Sequence, residues 1–191
     1  MISVSSKEKC TNGATTNFQI YFAILIVSMT AFLAASYFEA SMSTVQALEK
    51  PYKSFEEFFP FYMSQHQNEI CRRLHFVGTS IVVFMMAYRP YLAISIIPAY
   101  FVGSTVRILT QHLSTGLIEG IAAFSVLIAS YKSISGVVND AVALLLIGYG
   151  FAWIGHFVFE KNRPATFIYP IYSLTGDFKM WYDFASGKLK M

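Results

Sequence analysis

Charged residues are scarce in this 191-residue chain, at 13% against 55% hydrophobic. Soluble domains average about 25% charged residues, so too little polar surface exists here to cover a globule in water. The bilayer is the natural solvent for the surplus. The formal net charge is only +3 and no long Lys/Arg run occurs, which excludes nucleic acid as a partner because phosphate neutralisation needs clustered cations. Cysteine is almost absent. Cys10 and Cys71 lie far apart and form neither a disulfide framework nor a CxxC metal motif, so both read as free thiols. No GxSxG occurs, hence no serine nucleophile elbow. The four histidines, His66, His75, His112 and His156, include no HxxxH or HxxHH pair, which excludes the histidine-box chemistry of membrane di-iron desaturases and hydroxylases.

What the chain has in abundance is apolar runs. Residues 18–38 carry no charge and match the roughly 20 residues that span a bilayer. A secretory signal peptide cleaved near Ser36 is the competing reading of that segment. Residues 49–73 mix charge with aromatics and belong at the interface, as one or two short helices. Two apolar arms follow, 74–88 and 91–109, divided at Arg89-Pro90 because the residue before proline is disfavoured in helical geometry. A second pair, 116–131 and 138–159, is separated by the polar turn 132–136. Each arm is near the lower limit for crossing, so a shallow bundle in a thinned bilayer is an alternative. The expected fold class is all-α, a polytopic membrane helical bundle of two helical hairpins with an additional N-terminal apolar helix. Residues 1–41 form an extension and residues 42–191 the four-helix domain. Lys/Arg excess marks the cytoplasmic side. Arg72 and Arg73 precede the first hairpin, and Lys161, Arg163, Lys179, Lys188 and Lys190 follow the second, so both ends of the domain are expected at the cytoplasmic face.

An even number of crossings between them gives the four histidines one membrane face. Imidazole is the commonest transition-metal ligand, so His66, His75, His112 and His156 are candidate metal ligands. The competing reading is four interfacial side chains bonded to backbone or water. Positions nine apart face opposite sides of a continuous helix, so His66 and His75 can share a metal only if the helix breaks between them, near Asn68. Asn68 and Glu160 are candidate catalytic residues. Glu160 lies four positions after His156 and shares its helical face. It is open to three readings: a further ligand, a carboxylate that orients an imidazole, or an ion-pair partner of Arg163. Arg163, before Pro164, is a candidate substrate-binding residue through a bidentate carboxylate clamp, with a lipid headgroup anchor as the alternative.

Two blocks carry a likeness: FYMSQHQNEICRRLHFVGTS at 61–80 and GYGFAWIGHFVFEKNRPATF at 148–167, with the closing YSLTGDFKMWYDFASGK. Together they closely resemble the membrane 2-hydroxy fatty acid dioxygenase family, which includes a fungal endoplasmic-reticulum enzyme. The resemblance covers residues 54–187 and leaves 1–41 outside. It implies Fe(II)-dependent α-oxidation that shortens 2-hydroxy fatty acids by one carbon, as in phytosphingosine breakdown. Its partners are then a 2-hydroxy fatty acid, dioxygen and membrane lipids, at the endoplasmic reticulum in a eukaryote. His66 and His75 match the histidines of the first block and His156 that of the second, whereas His112 is assigned by topology. On this reading Arg163 holds the outer carboxylate oxygen, and the acyl chain lies among Phe76, Phe151 and Phe157. A non-catalytic membrane protein that organises or binds lipid is the alternative. A transporter needs polar groups along a pathway, and only Arg107 and Glu119 fall inside or near the edges of spans.

Overall fold

Six α-helices and no strand occur among the described residues, 50–190, of this computed structural model. They belong to one compact unit. The apolar segment 18–38, expected as a further span, lies outside the described residues.

Local chemistry sets each boundary. Helix α1 (Phe55–Ser64) starts at Ser54, whose hydroxyl accepts from the Glu57 amide at 3.2 Å, with Glu56 and Glu57 in the first turn, where carboxylates oppose the helix dipole. Helix α2 (Glu69–Tyr88) is capped by Asn68, whose side-chain oxygen accepts from the Ile70 and Cys71 amides. It stops at Arg89, the residue before Pro90. Pro90 then opens α3 (Pro90–Leu109), where its missing N–H is harmless. Helix α4 (Leu117–Ser135) ends on Gly136 at φ 79°, the left-handed cap that glycine adopts without strain. Helix α5 (Asn139–Ile154) continues into a π-helical turn, Gly155–Glu160. A short 3-10 turn (Ala165–Phe167) leads to α6 (Pro170–Ala185).

Four of these helices are long and apolar enough to cross a membrane: Glu69–Tyr88, Pro90–Leu109, Leu117–Ser135 and Asn139–Glu160. At 1.5 Å per residue, 20 residues cover about 30 Å, the hydrocarbon thickness. The first arm is longer than residues 74–88 because Asn68 caps it ahead of the charged turn. There Arg73 pairs with Glu69, and Arg72 donates to the carbonyls of His66 and Gln67 at 3.0 and 2.7 Å. The helices turn large apolar side chains outward, among them Phe84, Phe101, Leu109 and Leu146, all about 70% exposed, as a lipid solvent favours.

The most extensive packing does not follow the two expected hairpins. It runs between α3 and α4 and between α2 and α5, while α2 with α3 and α4 with α5 touch far less. Two cores result. One is aromatic and joins α1 to α6 and the segment before it, through Phe58, Tyr62, Tyr169, Tyr172, Met180 and Phe184. The other, inside the apolar bundle, contains Val82, Leu92, Leu127, Tyr131, Ala141 and Leu144. Lys50 and Glu119 form a buried ion pair at 3.3 Å, which explains a carboxylate in the first turn of an apolar helix.

The start of α4 meets the lead-in to α6 backbone to backbone. The Gly116 amide donates to the Phe167 carbonyl at 2.9 Å. A Cβ at Gly116 would stand 2.6 Å from the Ile168 carbonyl oxygen, whereas one at Gly150 meets nothing within 4 Å. Gly116→Ala is expected to destabilise the protein by about 1–3 kcal/mol through overpacking. Gly150→Ala is expected to be neutral or to stabilise by up to about 1 kcal/mol. Thermal unfolding in detergent checks both, and equal effects would show that the close approach at Gly116 is not a constraint.

Candidate metal centre

The break between α1 and α2 brings two histidines together. Helix α1 ends at Gln65, and Asn68 restarts the chain as α2, so His66 sits in the turn and His75 two turns into the next helix. His156 enters from the π turn after α5. The ring centroids lie 4.6 Å apart for His66–His75, 4.6 Å for His66–His156 and 5.1 Å for His75–His156. All three rings are buried. With Cys71 they form a group whose donor atoms all lie within 4.8 Å of one another. Gly155 permits this approach, because a Cβ there would stand 3.0 Å from Cys71 Sγ.

Hydrogen bonds determine which nitrogen each ring leaves free. His66 Nδ1 donates to the Tyr62 carbonyl at 2.6 Å, His75 Nδ1 to Asp177 Oδ1 at 2.8 Å, and His156 Nδ1 to Asn162 Oδ1 at 2.7 Å. A carbonyl or carboxylate oxygen can only accept, so the proton is on Nδ1. The Asn162 amide is oriented by its NH2 group, which donates to the Gln65 carbonyl at 2.9 Å. In all three rings the Nε2 lone pair remains for another partner. His66 Nε2 and His75 Nε2 are buried with no hydrogen-bond partner, each at a desolvation cost of about 1–3 kcal/mol. A metal ion satisfies such atoms, and oxygen-bonded imidazoles with free Nε2 are how protein sites hold one. The donor set of three imidazoles and a nearby thiol suits iron, zinc or copper rather than calcium or magnesium.

Glu160 supports the turn that carries His66. Its carboxylate accepts from the Gln67 amide at 2.6 Å and the Asn68 amide at 2.7 Å, so both oxygens are committed to backbone. Asn68 caps α2 and donates weakly to the Phe159 carbonyl at 3.4 Å. The π turn ends at Lys161, whose φ of 56° is the one positive value outside glycine among the described residues. That strained turn reverses the chain so that Asn162 returns over His156, its amide donating to the His156 carbonyl at 3.2 Å.

Other candidates sit apart. His112 is exposed in the turn between α3 and α4 and is absent from the converging group; the chain returns to this end of the bundle, but its side chain points outward. Arg163 is exposed and lies over the Phe167 ring at 4.9 Å. Sequence reasoning missed Asp177, Asn162, Tyr62 and Cys71 as neighbours of the histidines. All four lie inside the quoted family blocks, which was the available signal. Asp177 also accepts from the Tyr62 hydroxyl at 2.5 Å, linking α1, α2 and α6 at one carboxylate.

An apolar cavity starts beside the cluster, where His75 and Asp177 form part of its wall. It continues between the helices past Thr79, Ala123, Tyr149 and Leu174. Phe76, Phe151 and Phe157 are not in its wall: Phe76 packs on Phe184, Phe151 lies against Gly78, and Phe157 is exposed.

Burial dominates the electrostatics. It pushes the His66 imidazole down to about 3, helped by the proximity of His75, so the ring is a neutral base at physiological pH. Burial, with the charge of Asp177, pushes the Tyr62 hydroxyl well up. Burial works to raise the Asp177 carboxyl too, but the electrostatic attraction and hydrogen bond of the His75 ring, with the Tyr62 hydroxyl, outweigh it and hold the carboxyl below its usual value.

The family model described as 2-hydroxy-palmitic acid dioxygenase Mpo1-like matches residues 52–189 of this chain. No curated protein and no solved structure matches it significantly.

The depressed His66 value has a stability consequence. Unfolded, His66 takes a proton near 6.5, whereas folded it does so only near 3; acid therefore favours the unfolded chain across that window. Through His66 the metal-free protein is expected to lose thermal stability as pH falls from about 7 to about 5. His66→Gln is expected to flatten the decline. An identical slope in both proteins would remove His66 as its source.

Proposed function

Because the chain belongs to the 2-hydroxy-palmitic acid dioxygenase Mpo1-like family, we propose that it is a non-haem Fe(II) dioxygenase that shortens 2-hydroxy fatty acids by one carbon. The observation that carries this reading is the convergence of three buried imidazoles, each with its Nδ1 proton committed to oxygen. His66, His75 and His156 hold the metal through Nε2, and Cys71 stands beside them. Ferrous iron, when bound, supplies the activation of dioxygen and the Lewis-acid orientation of a 2-hydroxy carboxylate.

The remaining work is done by the chain. Asp177 holds His75 in its tautomer, Asn162 does the same for His156, and the Tyr62 carbonyl for His66. Glu160 and Asn68 act as positioning residues, because they fix the turn between α1 and α2. The apolar cavity beside His75 accepts an apolar substrate. The four apolar helices fit a substrate that partitions into membrane. On this reading the enzyme resides in the endoplasmic reticulum of a eukaryote and its site faces the cytoplasm. It serves phytosphingosine breakdown. A zinc site is the competing reading that Cys71 favours, since mixed His/Cys sets suit zinc.

Metal content and turnover test the proposal together. His66→Ala, His75→Ala and His156→Ala are expected to abolish shortening of 2-hydroxy fatty acids and to remove stoichiometric iron from anaerobically purified protein. Asp177→Asn and Glu160→Gln are expected to weaken both by about 10- to 100-fold. Normally inserted His→Ala proteins with full iron and activity would overturn it, and stoichiometric zinc without turnover would favour the competing reading. Residues 42–191 carry the whole site, so removal of residues 1–41 is expected to leave activity in membranes largely intact. Loss of activity with normal insertion of the shortened chain would show the extension to be required.

A further inference from the structure

The cavity has a polar end and an apolar end, and its depth is defined by packing. On α2 its wall runs from His75 through Thr79 to Val82; on α4 from Gly120 to Leu127; on α5 from Ala152 back to Leu144. These intervals of seven or eight residues correspond to about 10–12 Å at 1.5 Å per residue. One turn further along each helix the side chains are core and no longer wall. Tyr131 on α4 and Ala141 on α5 share one core cluster with Leu92 of α3, and Met85 and Met86 on α2 pack against that cluster. Tyr131 is fixed in place by its hydroxyl, which donates to Asp140 at 2.5 Å, and Arg89 stands 3.5 Å from the same carboxylate. The far end is thus closed by Val82, Leu127 and Leu144, each less than 8% exposed.

We propose that this cavity is the acyl tunnel and that Val82, Leu127 and Leu144 are its floor, setting the chain length that binds best. The inference rests on the proposed function for the identity of the head group, which lies at the histidine end. The tail then points away from the imidazoles into the bundle, where mostly apolar side chains meet it. The lumen exists because Gly120, Ala123, Gly148 and Ala152 face it with little or no side chain. A Cβ at Gly148 would stand 3.6 Å from Val82, so the wall at this depth is already in near contact with the floor. Added bulk there shortens the tunnel, and removed bulk deepens it.

The test uses the full chain in detergent with saturated 2-hydroxy fatty acids of graded length. Binding is read by displacement of a fluorescent fatty acid from the metal-free protein, and turnover is read from the iron-loaded protein. Val82→Phe and Leu144→Phe are expected to move the optimum to shorter acids. They should weaken binding of the longest by about 10- to 200-fold, the range that a methylene in an apolar pocket commands, and leave the shortest nearly unchanged. Leu144→Ala is expected to move the optimum to longer acids. Val82→Ala, a smaller change in the same direction, keeps the test readable if the Phe variants fail to fold. An unchanged length profile in folded variants overturns the floor. A shifted binding profile with no turnover in any protein supports the tunnel and overturns the dioxygenase reading, whereas turnover with an unshifted profile does the reverse.

Discussion

Each imidazole of the cluster gives its Nδ1 proton to an oxygen that another part of the chain holds in place. The acceptors are a carbonyl at the end of α1, a carboxylate on α6 and an amide beyond the π turn. Much of the local architecture follows from that requirement. The rings meet edge to face, with interplanar angles of 70° to 86°, and the Nε2 atoms of His66 and His75 are buried without a hydrogen-bond partner. A buried base with no donor is costly in an apolar bundle. Its persistence at two rings marks a centre organised around something other than stability, since well-folded interiors rarely leave such atoms alone.

Bringing three rings to one point demands that regular helix be interrupted where it would otherwise continue. The chain breaks at residues 65–68, and Asn68 and Glu160 satisfy the amides that the break exposes. On the opposite side the helix widens into a π turn and then reverses through a left-handed lysine. Both irregularities adjoin the histidines, as π turns and strained dihedrals commonly do at functional sites. The two devices are coupled, because Glu160 at the end of the π turn is the residue that holds the break. Asn162, just beyond it, reaches both His156 and the Gln65 backbone.

The division into two cores gives the centre its setting. The aromatic core of α1 and α6 carries Tyr62 and, beside it, Asp177, while the aliphatic core closes the far end of the bundle. The imidazoles lie where a polar cluster meets a largely apolar cavity, since His75 and Asp177 belong to both, and the proposed substrate has a charged head and an apolar tail to match. Low polarity around the rings also strengthens any charge interaction made there.

Composition and hydropathy sufficed for four helices long and apolar enough to cross a membrane and for a boundary at Arg89-Pro90, because those properties are local to each stretch of the chain. The need for a break between His66 and His75 was also local, since helical periodicity separates positions nine apart. Spacing was silent on the partners. Asp177 is 102 positions from His75, and Asn162 is 97 from Gln65; such pairs exist only once α6 and the π turn pack against the break. Tertiary structure likewise turned Glu160 from the His156 face toward the Gln67 and Asn68 amides, because a π turn does not keep helical register. It left His112 exposed and Arg163 over Phe167. The pairing of α3 with α4 and α2 with α5 was decided there as well, since apolar helices are alike in hydropathy and local fit, such as the bare Gly155 backbone against Cys71, decides which of them touch.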